Sequence, residues 1–509
     1  MQANQISGLL TRIGCKQGDR VCLLMPKGID AIAGMLGTLK VGAAYVPIDL
    51  ESPATRVQRI VDSCEPRVIL VAPEGEKLLS ELLVLGNTDS TIVSTSRTKK
   101  SDGKITPATG FWELGKYSEQ APQNDFADTD PAHILFTSGS TGVPKGVVIT
   151  HRNVASFLEW ATDYFGFEQG EQISGHPPLH FDLSTFDIYG ALSRGLTLHL
   201  VSPKLNLLAP ILAEWIRSSR LTQWFSVPSI MTYMAKFDVV RQNDFPEMKR
   251  LIWCGEVLPT PTLIYWMQRL PHVTFTNLYG PTEATIASSY YAVKRCPEDS
   301  QDEIPIGTPC AGEELLVLDE HLKSVPDGEI GDLYIGGIGL SPGYWRDATK
   351  TDMAFIPDPR TSKSGERIYK TGDLGFRDQH GFFRYVGRAD SQIKSRGHRI
   401  ELGEIESAIN ALGCTRESAV VGVDSGGFEG VAICCAYVRD GAGDLTPVRL
   451  RNDLASLIPR YMLPARWKEF EVLPKNANGK IDRRKIREIF DGELNTNPEK
   501  ADARSEETA

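Results

Sequence analysis

The chain lacks long apolar runs: nothing in its 509 residues approaches the roughly 18 consecutive apolar side chains that cross a bilayer as a helix. No basic stretch followed by an apolar one opens the chain at Met1-Gln2-Ala3-Asn4-Gln5, so no secretory signal is visible. A basic surplus is also missing. There are 55 Lys and Arg against 65 Asp and Glu, a net charge of −10, which argues against a general nucleic-acid binder and fits a small-molecule enzyme. None of the nine cysteines stands in a C-x-x-C pair, and the nine histidines show no zinc-ligand spacing. An odd cysteine count without a framework points to a reducing, cytoplasmic setting, and the adjacent Cys434 and Cys435 read as buried thiols within an apolar run. No internal repeat is present, and no G-G-x-S motif on a helical pattern marks a fused carrier domain.

Hydrophobic residues make up 41% of the chain, enough for several globular cores. Through the first three quarters, short apolar runs alternate with helical patterns. Val21–Met25 precedes a helical stretch from Gly28 to Val41; Val68–Val71, Leu196–Val201, Phe225–Val227 and Leu251–Cys254 read as further buried strands. This alternation predicts α/β layers around mostly parallel sheets. Near Leu315–Leu318 and Gly331–Ile335 the pattern changes to short strands with Gly-rich turns, a β-barrel-like subdomain. The expected organisation is a large N-terminal domain over 1–388, a small α+β C-terminal domain on a hinge over 389–490, and a polar, disordered tail over 491–509.

The most informative stretch is Phe136-Thr137-Ser138-Gly139-Ser140-Thr141-Gly142-Val143-Pro144-Lys145-Gly146. Glycines let a backbone approach a ligand closely. The interleaved hydroxyls and N–H groups are donors to phosphate oxygens, and the lysine adds a mobile positive charge. A Gly/Ser linker has the same composition, but the apolar flanks Ile134–Phe136 and Val147–Ile149 order both ends as strands. Lys145 is followed by Gly146 and not by Ser or Thr, so the run is not a Walker-type P-loop.

Its spacing resembles the phosphate loop of the AMP-forming adenylating enzymes, and further motifs follow in that family's order. Leu39–Asp49, Asn277-Leu278-Tyr279-Gly280-Pro281-Thr282-Glu283, Gly328–Leu333, Gly343-Tyr344-Trp345 and Tyr369–Leu374 precede Gly387-Arg388-Ala389-Asp390, Arg396–Glu406 and Asn478–Asp482. Each is weak alone; their joint order over nearly the whole chain is not. The branch resembled most is the amino-acid-activating adenylation domains of nonribosomal peptide synthetases, and within it the stand-alone prolyl-AMP ligases. Two departures occur. The chain opens on helix-like Gln5–Leu10 where relatives already have a preceding segment, so it reads as short or trimmed, and Asp332 stands where Glu is more usual.

The resemblance implies ATP and Mg²⁺ as cofactors and assigns roles by position. Thr137, Ser138, Gly139, Ser140, Thr141, Gly142 and Lys145 would hold phosphates, with Thr141 and Lys145 also catalytic. Glu256, Asn277, Tyr279, Gly280, Thr282, Asp373 and Arg388 would hold the nucleoside, Asn277 by its amide, Tyr279 by its ring and Asp373 through the ribose diol. Glu283 would hold Mg²⁺, and Lys480 would meet both the substrate carboxylate and the α-phosphate. Asp390, with Lys394, would flank a hinge, and the loop around Gly397 would serve a second, thioester-forming state. The residues alone also allow plainer parts: a turn lysine at Lys480, a helix-start acid at Glu283, a core aromatic at Tyr279, turn residues at Asp373 and Gly397.

Phe181–Asp187 matches the amino-acid-activating motif, in which Asp182 would pair with the substrate ammonium; as a residue it equally fits a helix N-cap. The family's pocket positions fall on Leu183, Phe186, Phe225, Ile252, Cys254, Leu278, Ile286 and Ala287. None is charged, so a compact apolar amino acid is expected: proline first, alanine or valine behind it. A separate phosphopantetheinylated carrier protein would accept the product, with no nucleic-acid or membrane partner. The rival expectations are an acyl-CoA ligase on the same fold and a non-catalytic nucleotide-binding scaffold.

Overall fold

The computed structural model describes residues 1–86, 88–99, 106–123, 125–139, 142–361, 365–424, 430–440, 445–476 and 480–495, with side chains described through 493. The chain forms two units, one of Met1–Leu50, Val57–Thr137 and Lys145–Asp390, the other of Glu51–Arg56, Ser138–Pro144 and Ser391–Ala509.

The first unit opens with Arg20–Leu24 (β1), Ala44–Pro47 (β2), Val68–Val71 (β3), Thr91–Ser94 (β4), Thr109–Gly110 (β5), Pro131–Thr137 (β6) and Lys145–Thr150 (β7). With the short strand Gly343–Tyr344 these make an eight-stranded sheet. β1 to β5 are parallel, β2 runs parallel to β6, and β7 returns antiparallel to β6. Val68–Val71 is buried on both faces, as its unbroken apolar run requires of a parallel strand.

A second, seven-stranded sheet holds Gln172–Gly175 (β8), Thr197–Leu200 (β9), Gln223–Ser226 (β10), Arg250–Trp253 (β11), Thr274–Tyr279 (β12), Ser289–Val293 (β13) and Thr308–Pro309 (β14). Strand alternation sorts its two faces. Trp224, Leu251, Trp253 and Phe275 pack into one cluster, while Phe225, Ile252, Cys254 and Leu278 pack into another. β9 corrects one expectation: Leu196–Val201 is not a buried strand, because β9 is the sheet's edge and is partly exposed.

Glu313–Leu318 (β15), Gly331–Gly337 (β16), Phe355–Pro357 (β18), Arg367–Arg377 (β19) and Phe383–Arg388 (β20) form the five-stranded antiparallel sheet of the region where short strands and Gly turns were expected; Gly343–Tyr344 is β17. In the second unit, Thr415–Asp424 (β23), Val431–Arg439 (β24) and Arg466–Glu469 (β25) form a three-stranded sheet, beside the hairpin Gln392–Ser395 (β21) and His398–Glu401 (β22). Ile405 and Ile409 pack with Cys435 on one side, and Ile486 and Phe490 with Cys434 on the other. The adjacent thiols are thus buried on opposite faces, and all nine cysteines are free. The final helix runs Arg483–Asn495, so the tail expected from 491 is helical for its first residues; residues 496–509 lie outside the described residues. No helix among the described residues is long and apolar enough to cross a membrane.

Two buried histidines give the fold a pH signature. His133 on β6 lies against the Tyr45 ring at 5.0 Å, and burial pushes its pKa down to about 3. His176 accepts from Trp224 Nε1 at 3.3 Å, and burial pushes it down to about 4. Unfolded, both would take a proton near pH 6.5, while the folded chain refuses it. Their stabilisation is therefore complete above about pH 6.5 and drains away as pH falls toward 4 and then 3. Denaturant midpoints measured between pH 7.5 and 4.5 should fall with a contribution from these histidines approaching two protons, about 2.7 kcal/mol per pH unit. His176→Asn should remove about one of them.

Candidate active site

In the first unit, β12 carries Asn277 and ends on Tyr279, and Gly280 follows it. A Cβ on Gly280 would stand 2.6 Å from the Ala287 Cα, so only glycine lets the chain double back there. The Tyr279 phenol donates to Asp373 Oδ2 at 2.5 Å, and Arg388 Nη1 donates to Asp373 Oδ1 at 2.8 Å across the β19–β20 pair. Arg388 also clasps Asp390 through Nε and Nη2, at 2.9 and 2.5 Å. Tyr279, Asp373, Arg388 and Asp390 thus form one hydrogen-bonded chain. Burial, and then the Asp373 charge, push the Tyr279 phenol well above its usual range. Its ring packs against Ile306 and Leu315, so it is a core aromatic as well. Each Asp373 oxygen keeps a further lone pair with which a diol could share it. Asn277 spends one amide hydrogen on Pro305 O at 2.9 Å. Glu256 accepts from Ser229 N at 3.1 Å, at the start of the helix Pro228–Lys236.

Thr282 and Glu283 occupy a single helical turn after Pro281, and Glu283 is fully buried. It is more than a helix-start acid: the Tyr344 phenol donates to its Oε1 at 2.8 Å, and Lys145 Nζ lies 5.2 Å from the centroid of the same Tyr344 ring. The chain therefore brings Lys145, Tyr344 and Glu283 together. Tyr344 was legible only as a motif member; no spacing gave it this bridging part. Nearby on β6, Thr137 carries a buried Oγ1 without a hydrogen-bond partner. No group of three or more His, Cys, Asp or Glu among the described residues could hold a metal by itself. A single carboxylate suits Mg²⁺ only where phosphates and water complete the shell, the usual arrangement at a nucleotide. Tyr344→Phe removes a hydrogen bond to a charged group, worth about 1.5–3 kcal/mol. In pyrophosphate exchange at varied ATP, kcat/KM should fall about 10- to 100-fold; an unchanged value would detach Tyr344 from the site.

Asp182 heads a helical stretch, Leu183–Thr185, Phe186–Gly190 and Ala191–Ser193, whose middle part widens into a π-turn, a feature frequent at functional sites. It stands at the N-cap position but makes no capping hydrogen bond. Upstream, Lys27 Nζ donates to the carbonyls of Gly175, His176 and Pro177, at 2.6, 2.7 and 3.2 Å, and Asp187 accepts from His176 N at 3.2 Å. These bonds fix the entry to the motif, and burial pushes Lys27 down to about 8. Leu183, Phe186, Phe225, Ile252, Cys254, Leu278, Ile286 and Ala287 all fall in one apolar cluster, joined by Phe157, Ala161 and Phe165 from the helix His151–Tyr164 and its end. Thr285 and Ile286 carry φ of 56° and 72°. For β-branched residues that backbone is strained, on the order of 1–3 kcal/mol each, and such strain gathers at functional sites.

In the second unit, Ser138 Oγ donates to Arg399 O at 2.8 Å, and Gly139 N donates to Glu404 Oε2 at 3.3 Å. Arg56 pairs with the same Glu404, whose burial still holds its carboxyl above the usual range. Gly142 turns with φ 76°. Ser140 and Thr141 lie outside the described residues, as do Asn478 and Gly479. Lys480 is exposed, its N–H donating to Asn476 Oδ1 at 3.1 Å. Lys394 lies on β21, and Arg396-Gly397, with φ of 53° and 78°, makes the two-residue turn to β22.

The profile of the AMP-binding enzymes matches residues 1–345, and that of the AMP-binding enzyme C-terminal domain matches 404–480. An L-proline–[L-prolyl-carrier protein] ligase of Streptomyces coelicolor is 32% identical over 94% of this chain and 89% of its own length. A D-alanine–D-alanyl carrier protein ligase of Bacillus cytotoxicus is 34% identical over 90% and 86%. Among solved structures, an NRPS protein containing adenylation and PCP domains, bound to a vinylsulfonamide inhibitor, matches with a TM-score of 0.77 and 25% identity, covering 95% of this chain and 78% of that one. A glycine-loop hairpin, a buried Glu283 and an Asp373–Arg388 pair thus stand in a chain that belongs to the AMP-binding enzyme family and is an AMP-forming ligase.

Proposed function

We propose that this protein activates a small apolar amino acid, L-proline first, with ATP and Mg²⁺, and then loads it onto a separate phosphopantetheinylated carrier protein. A carboxylate oxygen attacks the α-phosphorus, the bond to the β-phosphate breaks, and pyrophosphate leaves with its electron pair. In the second step a thiol sulfur attacks the acyl carbon, its proton passes to solvent, and AMP leaves. The observation that carries the reading is the acid beside uncharged pocket positions: Asp182 precedes Leu183 and Phe186 on one helical stretch, and none of the eight pocket positions is a charged residue. An ammonium there needs a paired charge, because burying it bare costs several kcal/mol, to order of magnitude. A plain fatty or aryl acid needs none, which sets amino-acid activation ahead of acyl-CoA ligation.

The remaining roles follow from charge. Two anions must meet in the first step, so positive groups carry it. Lys480 supplies charge to the carboxylate and the α-phosphate, and Lys145 with the loop Thr137–Gly142, Thr141 included, holds the outer phosphates. Glu283, oriented by Tyr344, would hold Mg²⁺, which supplies charge neutralisation when bound. Asp373 and Arg388 hold the ribose side, with Asn277, Tyr279, Gly280, Thr282 and Glu256 around the base. Asp390, at the end of the first unit, acts as the hinge between the adenylating and thioester-forming states, with residues 389–490 as the moving domain.

The carrier-ligase relatives support loading of a separate carrier, and the 34% identical D-alanyl carrier ligase keeps alanine as the second substrate. Amino-acid-dependent ATP–pyrophosphate exchange across the amino acids and a set of plain carboxylic acids tests the reading. Proline should give the highest kcat/KM, with alanine and valine next. Exchange driven only by plain acids would replace it with acyl-CoA ligation.

A further inference from the structure

Glu313, the first residue of β15, is a carboxyl with no obvious task. Its Oε1 accepts from Gly339 N at 2.7 Å, while its Oε2 is buried without a hydrogen-bond partner. Two glycines make room for it. A Cβ on Gly339 would come 2.5 Å from Glu313 Oε1 and 3.0 Å from Ala284 O; one on Gly337 would come 3.2 Å from Oε2 and 2.3 Å from Gly312 O. The carboxyl lines a recess with Ser156, Phe157, Thr285, Ala287 and Cys310, and Phe157 and Ala287 belong also to the apolar cluster.

The next links lead to the site. Gly339 O accepts from Thr285 Oγ1 at 2.6 Å. Two residues on, Ser341 N donates to Glu283 O at 2.9 Å, and Tyr344 OH holds the Glu283 carboxylate. Asn153 Nδ2 fastens the same strap at Ile338 O and Leu340 O, at 2.7 and 3.1 Å. Residues 338–344 therefore grip the 283–287 turn at Glu283 and at Thr285, and Glu313 anchors, through Gly339, the grip on the strained Thr285–Ile286 backbone.

We propose that Glu313 is a positioning residue for adenylation: through Gly339 it holds the strained Thr285–Ile286 turn, and with it sets Ile286 and Ala287 against the amino-acid side chain. This rests on the reading of those two residues as pocket wall. Burial pushes the Glu313 carboxyl up to about 8, so near neutral pH it acts as an uncharged acceptor. The titratable groups facing it are Cys310, whose thiol is pushed up by burial and by Glu313, and behind Cys310 the Cys254 thiol; Arg360 pairs with Glu314 instead. On the neighbouring helix the Tyr164 phenol is itself pushed up to about 12.

Pyrophosphate exchange with proline, at varied proline and at varied ATP, decides the matter for Glu313→Ala, Glu313→Gln and Thr285→Val. Glu313→Ala and Thr285→Val should each raise KM for proline about 10-fold with KM for ATP changed less than 2-fold, and the double variant should be no worse than either alone. Glu313→Gln keeps an acceptor for Gly339 and should stay within about 2-fold of wild type at pH 7. Above pH 8 ionisation would leave a buried charge whose Oε2 has no partner, and hydrating it would loosen the recess, so the wild type should lose affinity for proline and Glu313→Gln should not. Should Glu313→Ala not fold, Thr285→Val and the Glu313→Gln pH profile still decide. An unchanged KM for proline in Thr285→Val, a Glu313→Gln pH profile that follows the wild type, or equal losses on ATP and proline would overturn the inference. Absence of any amino-acid-dependent exchange in the wild type would instead overturn the function proposed above, and this inference with it.

Discussion

Replacing Lys480 by alanine is expected to slow aminoacyl-AMP formation about 10²- to 10³-fold, the usual loss when one preorganised charge or donor is removed from a developing anion. Lys480 is tied to Asn476 through its backbone, its O accepting from Asn476 N and its N–H donating to Asn476 Oδ1, and neither bond involves the exposed side chain that the substitution truncates. The effect should be confined to one half-reaction. Carrier loading from a supplied, chemically made adenylate involves no pyrophosphate and no α-phosphate attack, so it should stay within a few-fold of the wild type. Pyrophosphate exchange reads the first half, and single-turnover thioester formation reads the second. Equal loss in both would mean a structural defect. No loss in the first would remove Lys480 from the chemistry.

Asp182→Ala should abolish the preference for amino acids over plain acids. An uncompensated ammonium costs about 3–5 kcal/mol once its buried partner is removed, which is about 10²-fold or more in relative kcat/KM. Proline and cyclopentanecarboxylate differ chiefly in that ring nitrogen, so their ratio isolates the term. The wild type should favour proline strongly, and the variant should treat the two alike. A variant that kept the full preference would show that the ammonium is read elsewhere.

Elements with a single physical cause were legible in the sequence. Val68–Val71 is apolar without interruption and β-branched at three of its four positions, and it is a strand buried on both faces. The apolar flanks of the Gly/Ser loop read as strands because they are β6 and β7, paired antiparallel. Leu196–Val201 misled because composition records apolarity and not position in a sheet; at the edge, one side of β9 has no neighbouring strand. The boundary at 491 failed for a related reason. Residues 491–495, in which Leu494 is the one large apolar residue, continue a helix whose buried face is set by Ile486 and Phe490 upstream.

The candidate site divides in the same way. Three of the eight pocket positions, Phe225, Ile252 and Leu278, come together because strands β10, β11 and β12 pair in register and alternate their faces, a pattern the chain carries locally. The bond from Tyr344 to Glu283, the Asp373–Arg388 pair and the strap from Gly339 to Thr285 join residues 61, 15 and 54 positions apart. Nothing in local spacing encodes them. The positive φ at Thr285 and Ile286 was equally hidden, since β-branched side chains argue against it and only the strap around them accounts for it.

The most direct test is binding of a stable prolyl-adenylate analogue in which a sulfamoyl group replaces the phosphate. One site that holds both the nucleotide and the amino acid requires it to compete with ATP and with proline alike, and to bind at least about 10²-fold tighter than either. Competition with ATP alone, at an affinity no better than that of AMP, would contradict the account.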